Sequence, residues 1–257
     1  MTDTARAAAP RKAFKMATTT SVEHSGLLDI LLPAFKKATG ITVHAIAVGT
    51  GNALKLGENG DVDCVLVHAP DLEMKFVQNG FGIGRRVLFY NDFLIVGPPD
   101  DPAGIAGSVD PMEALAKIAG HQSVFVSRGD NSGTHNRERY LWQRSGVAPG
   151  GGWYLEAGQG MGSTLIIADE KGAYCLVDRG TFLAFEDKIG LVELSTPHEE
   201  LLNVYSVIAV DPGRHPNADY GEVSRFINWL VSDEAKELVN GFKKNGKQLF
   251  HYGVPAS

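Results

Sequence analysis

The chain has 257 residues, of which 44% are hydrophobic and 21% charged, so it can bury a large core as one α/β unit or as two medium lobes. Its formal net charge of −6 excludes an overall attraction to nucleic acid or to an acidic membrane surface. No run approaches the ~18 consecutive apolar residues of a membrane span, so we expect no direct membrane insertion.

Apolar periodicity in the first part of the chain predicts alternating strands and helices. A short strand at 13–17 is followed by polar residues and by a helix over 25–39, in which we expect an interruption or a kink near Pro33. The same order then repeats. The further predicted elements are strand 41–48, helix 52–60, strand 63–69, helix 71–80 and strand 85–97.

The second part of the chain shows the same alternation. Predicted helices cover 111–120, 132–146, 162–172, 220–233 and 234–246, and predicted strands cover 123–127, 173–178 and 203–212. Strands that alternate with helices through short glycine-containing turns are typical of an α/β fold with a largely parallel sheet.

Two long predicted strands, at about 88–97 and 203–211, resemble the pair of strands that connects the lobes of a two-lobed binding protein. They divide the chain into a first lobe of residues 13–95 plus 208–257 and a second lobe of residues 96–207. Each lobe is expected to hold a mostly parallel sheet flanked by helices, with the two long strands as the hinge.

Residues 1–12 are predicted to form a disordered leader. The N-terminal region carries basic residues and alanines but lacks the apolar segment of ~7–15 residues that a secretory signal requires. We therefore expect one of two situations: a signal was removed and the protein is periplasmic, or extracellular and membrane-associated, or this N-terminus is native and the protein is cytoplasmic.

Four segments rich in Ser, Thr and Gly stand where apolar runs end or helices begin: TTTS at 18–21, GTG at 49–51, SRGDNSGT at 127–134 and GMGST at 160–164. In an α/β sheet, strand carboxyl ends and helix N-termini face one crevice, so these segments should line it together. Free helix N–H groups, a positive dipole end and hydroxyl donors predict an anion site there. The candidate binding residues in these segments are Thr19, Thr20, Thr50, Gly51, Ser132, Thr134, Ser163 and Thr164.

Each of these segments also has an ordinary structural explanation. A Ser, Thr or Asn before a helix is most often an N-cap, and paired glycines commonly form a tight turn. Gly49 and Gly51 without a third glycine at the right spacing do not make a dinucleotide fingerprint. The anion-site prediction therefore depends on all four segments together.

Arg128 is the one cationic residue between a predicted strand end and a Ser-Gly-Thr helix start. Its guanidinium can present paired N–H donors to two oxygens of a tetrahedral anion. The alternative is an ion pair with Asp130. Arg179 is a weaker candidate, because the adjacent Asp178 suggests a structural pair or a hinge contact.

Catalytic and metal-binding patterns are weak in this sequence. There is no GxSxG motif and no phosphate loop that ends in Gly-Lys-Ser/Thr. His135 and Glu138 share a helix face, but they lack a third ligand nearby, so a solvated or capping role is the default interpretation. The acidic residues form no pair that suggests an acid and a base.

Three stretches resemble the TupA family, the tungstate-binding proteins of ABC importers: residues 17–54, GDVDCVLVHAP at 60–70 and SRGDNSGTHNRE at 127–138. The similarity runs from about Ala17 to the C-terminus, and the motifs TTTS, VGTG and SRGDxSGT occur in the family's order. The resemblance implies the type II periplasmic binding protein fold. It also implies that Thr19, Arg128 and Thr134 match the family's ligand-contacting positions. Ser163 or Thr164 matches a further such position less closely.

The resemblance further implies a function in transport. The expected ligand is tungstate or molybdate, bound as the oxyanion with no cofactor and no separate metal site, and the expected partners are an ABC permease and its ATPase. The protein is expected to be a monomer and not an enzyme. Two alternatives remain: a cytoplasmic oxyanion sensor, and an enzyme acting on phosphate or sulfate esters.

Overall fold

A computed structural model describes residues 13–254, and the leader predicted at 1–12 lies outside this range. The helices are α1 (Thr20–Ser25), α2 (Leu27–Thr39), α3 (Thr50–Asn59), α4 (Pro70–Gln78), α5 (Pro111–His121), α6 (Gly133–Arg144), α7 (Met161–Glu170), α8 (Arg179–Phe185), α9 (Tyr220–Leu230) and α10 (Asp233–Gly241). The strands are β1 (Ala13–Thr19), β2 (Thr42–Val48), β3 (Cys64–Val67), β4 (Gly82–Gly97), β5 (Phe125–Ser127), β6 (Tyr154–Glu156), β7 (Cys175–Asp178), β8 (Val192–Glu193), β9 (Leu202–Val210), β10 (Lys243–Lys244), β11 (Lys247–Gln248) and β12 (His251–Tyr252).

The first lobe is built on the strand order β12-β4-β9-β3-β1-β2. β1 pairs in parallel with both β2 and β3, whereas β9 is antiparallel to β3 and β4. The α/β fold is confirmed, but the sheet is mixed and not mostly parallel. The reason is that the long strands β4 and β9 run in opposite directions beside the βαβ units.

Strand register brings two helix starts to the same edge of the first lobe. Thr19, the last residue of β1, is paired with Val48, the last residue of β2, and Thr18 is paired with Leu66 on β3. Because parallel strands that end together place the following residues side by side, α1 and α3 begin next to each other. The polar segments after β1 and β2 therefore meet at the carboxyl edge of the sheet.

The second lobe uses the other half of β4. This strand pairs with β9 as far as Asp92, and from Phe93 onward it pairs antiparallel with β7 and then β8. β5 is parallel to β6, and a bridge joins Phe125 to Tyr174 just before β7. The change of partner on β4 falls close to the lobe boundary predicted at 95, although the boundaries themselves stay a prediction.

Three clusters of buried apolar side chains hold these layers together. One draws only on residues between 93 and 201, and another packs α3 and α4 on the first sheet. The largest cluster includes residues of both lobes, among them Phe35, Phe226 and Leu165. Phe35 and Phe226 are fully buried with ring centroids 4.9 Å apart, and burial of each such side chain contributes about 1.5–3 kcal/mol.

The helix predicted over 25–39 differs from the observed structure in two respects. It is preceded by a separate short helix, because Gly26 adopts a left-handed conformation with φ 86° and ends α1 before α2 begins. The interruption expected near Pro33 is absent, and Pro33 lies inside α2. Pro33 is on the exposed face of α2, where water can satisfy the carbonyl that its ring leaves unbonded.

Candidate functional site

A cleft of about 780 Å³ lies where several helix starts and one strand end meet. The residues that line it are Thr20, Ser21, His24, Ser25, Gly49, Asn52, Arg128, Asp130, Gly160, Met161, Gly162, Ser163, Ile166, Gly180, Thr181, Ala184 and Phe185. They belong to both lobes. A second cavity of about 580 Å³ lies against α6 around His135 and Arg139, and none of the predicted binding residues lines it.

Four helices begin at the wall of the large cleft: α1, α3, α7 and α8. The N-cap residues of α3 and α7 are Gly49 and Gly160, which have no side chain to bond the first N–H groups of their helices. Among residues 13–254, and apart from its chain neighbours, no atom lies within 4 Å of the position that a Cβ would take on either glycine. Because both glycines line the cleft, the helix starts with their free N–H groups and positive dipole ends lie at its wall, which favours an anion.

Arg128 follows the last residue of β5 and is only 7% exposed. Its Nε donates to Oδ2 of Asp130 at 2.8 Å, and Oδ1 of Asp130 accepts the backbone N–H of Ser132 at 3.0 Å. Within residues 13–254, neither Nη group makes a hydrogen bond. Asp130 thus fixes the guanidinium from one side and leaves its two terminal N–H₂ groups available to a ligand.

Two buried hydroxyls in the polar segments lack a hydrogen-bond partner within residues 13–254: Thr50 Oγ1 and Thr134 Oγ1. The Ser127 hydroxyl interacts instead with the Glu138 carboxyl and the Tyr154 hydroxyl. A buried hydroxyl without a partner costs about 1–3 kcal/mol, and such groups are rare in folded proteins. Both lie in polar segments that also supply cleft-lining residues, and both were predicted from the sequence.

The remaining predicted residues fall into two groups. Thr20 and Ser163 line the cleft directly, and Gly51 is the second residue of α3 with open space beside it. The other three use their hydroxyls within the protein: Thr19 caps α1, Ser132 caps α6, and the Thr164 hydroxyl donates to Gly160 O at 3.1 Å. The Thr19 and Ser132 hydroxyls accept backbone N–H groups in these caps, so each keeps its own O–H for a ligand, whereas the Thr164 O–H is used within the protein.

The sequence analysis missed α8 as a wall of the cleft. Gly180 and Thr181 line it, and Asp178 caps the helix by accepting the backbone N–H of Thr181 at 2.9 Å. The segment DRGT has the same strand-end-to-helix pattern as the four predicted segments, so the signal was present. Arg179 does not pair with Asp178, as the sequence suggested, but with Asp92 and Glu193 at 2.6 and 2.8 Å.

A buried carboxyl lies behind the strand end that carries Arg128. Glu138 is 1% exposed and accepts hydrogen bonds from the Tyr154 hydroxyl at 2.7 Å and from Trp142 Nε1 at 3.3 Å. Burial raises the pKa of Glu138 from 4.5 to about 7, although the Tyr154 hydroxyl acts in the opposite direction. His135 uses its Nδ1 to accept the backbone N–H of Asn131, which is a structural role.

Within residues 13–254, no group of three or more His, Cys, Asp or Glu side chains is placed to hold a metal ion. In the same range, no helix combines the length and the apolar character that crossing a membrane requires. The donors at the cleft are hydroxyls, amides and one guanidinium. This set suits an oxyanion, because all of its members can donate hydrogen bonds to oxygen.

Comparison with known proteins gives the family. A family model described as the PBP superfamily domain matches residues 4–234. The tungstate-binding protein TupA of Peptoclostridium acidaminophilum is 43% identical over 239 residues, which cover 91% of this chain and 84% of that protein. The chain belongs to the TupA family. The resemblance found in the sequence motifs is thereby confirmed, together with the periplasmic binding protein fold.

Solved structures of TupA-type proteins have the same fold. The tungstate-binding protein TupA of Desulfovibrio alaskensis G20 is 45% identical, with a TM-score of 0.86, and the match covers 96% of this chain and all of that one. The tungstate ABC transporter structure from Geobacter sulfurreducens is 48% identical, with a TM-score of 0.83, and the match covers 91% of this chain and 100% of that one. The TupA-family similarity therefore extends over both lobes and the cleft.

Proposed function

We propose that this chain is the substrate-binding protein of an ABC importer and that it captures tungstate or molybdate between its two lobes. The observation that carries the proposal is the convergence of four helix N-termini and the free Nη groups of Arg128 on one cleft. The names of the TupA relatives support the same ligand. A dianion leaves water at tolerable cost only when each of its oxygens finds donors, and this cleft supplies them.

The proposed donors come from all the predicted segments. Side-chain contacts are assigned to Thr20, Arg128 and Ser163, which line the cleft, and to the unpartnered hydroxyls of Thr50 and Thr134. Gly51 is assigned through its backbone N–H. Thr19 and Ser132 are assigned as further O–H donors, because their hydroxyls only accept in the helix caps, and Thr164 is assigned as a residue that shapes the start of α7.

We propose no covalent chemistry and no cofactor at this cleft. An enzyme acting on phosphate or sulfate esters would need a hydroxyl activated by a neighbouring base. The Ser25 hydroxyl donates to Val22 O at 2.6 Å and accepts the backbone N–H of Leu27 at 3.1 Å. Its proton is therefore used in the hydrogen bonds that stabilise the break between α1 and α2. His24 lines the cleft, but within residues 13–254 its ring makes no hydrogen bond to a hydroxyl that it could activate. These contacts favour capture of an anion over its chemical conversion.

The partners and location follow from the proposed role. The chain would act as a monomer that delivers its oxyanion to an ABC permease driven by an ATPase. It would be periplasmic, or extracellular and membrane-associated, as the ABC-transporter role of the TupA relatives suggests.

Thermal unfolding with different anions tests the proposal. A ligand at about 1,000 times its dissociation constant adds ~4 kcal/mol to the free energy of unfolding and should raise the midpoint by on the order of 10 °C. Ligand-free protein is melted with tungstate, molybdate, sulfate or phosphate at equal ionic strength. Tungstate and molybdate should give the largest shifts, and no shift with either would exclude the proposed function.

A further inference from the structure

A buried histidine joins the first lobe to the helix start that follows the arginine segment. His68 comes directly after β3 and is 6% exposed. Its ring contacts Gly133, the first residue of α6, so closely that a Cβ on Gly133 would lie 2.7 Å from the ring atom Cε1 and 3.3 Å from Nε2. The contact crosses from a strand end of the first lobe to a helix N-terminus of the second.

His68 is also anchored to both long strands. Its Nδ1 lies 2.7 Å from Oδ1 of Asn203 on β9. The side-chain amide of Asn203 donates to Asn91 Oδ1 on β4 and to the Tyr205 hydroxyl, both at 2.8 Å. Because the amide nitrogen of Asn203 already acts as a donor, its oxygen accepts, and His68 must carry its proton on Nδ1.

The position of the ring is fixed from two further sides. It packs on Tyr205 with ring centroids 4.8 Å apart. The next residue, Ala69, donates its backbone N–H to the buried carboxylate of Glu73 at 2.7 Å, and Arg85 pairs with the same carboxylate at 2.8 Å. Because the ring is held in place, a shift of the long strands would move the ring and with it the residue that it contacts, Gly133.

We propose that His68 is a positioning residue that sets the distance between the strand ends of the first lobe and the N-terminus of α6, and thereby the size of the oxyanion cage. This inference rests on the proposed function. The α6 start carries Ser132 and Thr134, and Asp130 links it to the Arg128 guanidinium. A shift of α6 would therefore move several donors at once.

The ring acts through its shape and its Nδ1–H group. Burial lowers the pKa of His68 from 6.5 to about 4, although the hydrogen bond with Asn203 acts in the opposite direction. The ring is therefore neutral at neutral pH and contributes no positive charge to the cleft. A change of volume on either side of the contact should alter the cage more than a change of pH near neutrality.

A double-mutant cycle tests the contact. Gly133→Ala should raise the dissociation constant for tungstate at least about tenfold, since the added methyl group meets the ring. The same substitution in a His68→Ala background should change it by less than about threefold, because the obstructing ring is gone. Gly120→Ala in α5, where a Cβ meets no atom within 4 Å, is the matched control and should bind as the wild type does.

The His68→Asn variant removes the ring but keeps the hydrogen bond, because the asparagine amide can still donate to Asn203. It therefore tests the two contributions separately. This variant should keep the melting temperature near that of the wild type while its dissociation constant for tungstate rises and its preference for tungstate over sulfate falls. Titration calorimetry with sodium tungstate and sodium sulfate measures both. Wild-type affinity and preference in His68→Asn would overturn the inference, as would equal effects of Gly133→Ala in both backgrounds.

Failure of the proposed function gives a different result. In that case the wild-type protein itself would bind neither tungstate nor molybdate. The contact would still be measurable, because the same four proteins give a cycle of unfolding free energies without any ligand. Coupling in that cycle without oxyanion binding would reject the transport function, and absence of coupling would reject the contact.

Discussion

Arg128 and Asp130 are paired in a way that leaves the arginine able to bind an anion. The sequence offered these as alternatives, an ion pair or a ligand contact. In the structure the pair uses only Nε, at 2.8 Å, and both Nη groups stay free of other bonds to residues 13–254. A guanidinium has five donors in a fixed plane, so one carboxylate can orient it without exhausting it.

Removal of this guanidinium should weaken tungstate binding strongly. Arg128→Ala is expected to cost about 3 kcal/mol of binding free energy, roughly a hundredfold in the dissociation constant, because a buried charge-assisted contact is lost. Titration calorimetry with tungstate measures the effect. Arg139→Ala, at an exposed position on α6, serves as the control with unchanged affinity. An Arg128→Ala protein with wild-type affinity would remove this residue from the site.

Glu138 should make folding stability depend on pH. Its pKa is raised from 4.5 to about 7 by burial, so the folded protein holds the proton more tightly than the unfolded chain does. Stability from this group is therefore full below pH 4.5 and is lost as the pH rises through 7. The loss amounts to about 3 kcal/mol, and the Glu138→Gln variant lacks it.

The measurement is the free energy of unfolding of both proteins by urea at several pH values. The difference, variant minus wild type, should increase between pH 4.5 and pH 8. His68, whose pKa is lowered to about 4, contributes with the opposite sign, because its share of stability is lost as the pH falls below 6.5. That contribution is common to both proteins and cancels. A difference that stays constant with pH would show that Glu138 is ionised normally.

At the level of strands and helices, the join between the lobes carries an ion-pair cluster. Arg179, the first residue of α8, pairs with Asp92 on β4 and Glu193 on β8 at 2.6 and 2.8 Å. Asp92 is the last residue of β4 that pairs with β9, and the next residue pairs with β7. The cluster therefore ties α8, a wall of the cleft, to the point where β4 passes between the lobes.

Loss of the central cation should destabilise the fold. In Arg179→Met two partly buried carboxylates face each other without compensation, and we expect the free energy of unfolding to fall by about 2 kcal/mol. Urea unfolding at pH 7 measures it. Lys55→Met is the control, since Lys55 is 66% exposed and its partner Glu58 is 30% exposed, so a change below ~0.5 kcal/mol is expected. Equal losses in the two variants would contradict a structural role for the Arg179 cluster.

The molecule as a whole is acidic, but several of its hydrogen-bond donors lie together in one cleft. A net charge of −6 gives no general attraction for a dianion. Local helix dipoles and a single arginine supply the field instead, and a partly enclosed cleft strengthens such interactions by excluding water. If the lobes move about the long strands, the ligand can favour closure only through donors that reach it from both sides.

Most of the strands and helices, the α/β fold and four of the five polar segments at the cleft could be predicted from the sequence, whereas the DRGT segment of α8 was not. Apolar periodicity and Ser, Thr and Gly at strand ends are local signals, because they depend only on residues that are close together in the sequence. The TupA motifs fixed the family for the same reason. Arg128 was found because it lies between a predicted strand end and a Ser-Gly-Thr helix start.

Which hydroxyl donors remain free depends on the tertiary structure. Thr50 and Thr134 lack partners within residues 13–254 whereas the Thr164 hydroxyl donates to Gly160 O, and no sequence pattern distinguishes these threonines. The mixed sheet, the distant partners of Arg179 and the contact of His68 with Gly133 also depend on residues far apart in the chain. A hydrogen bond or a packing contact requires both groups in place, and long-range folding alone brings them together.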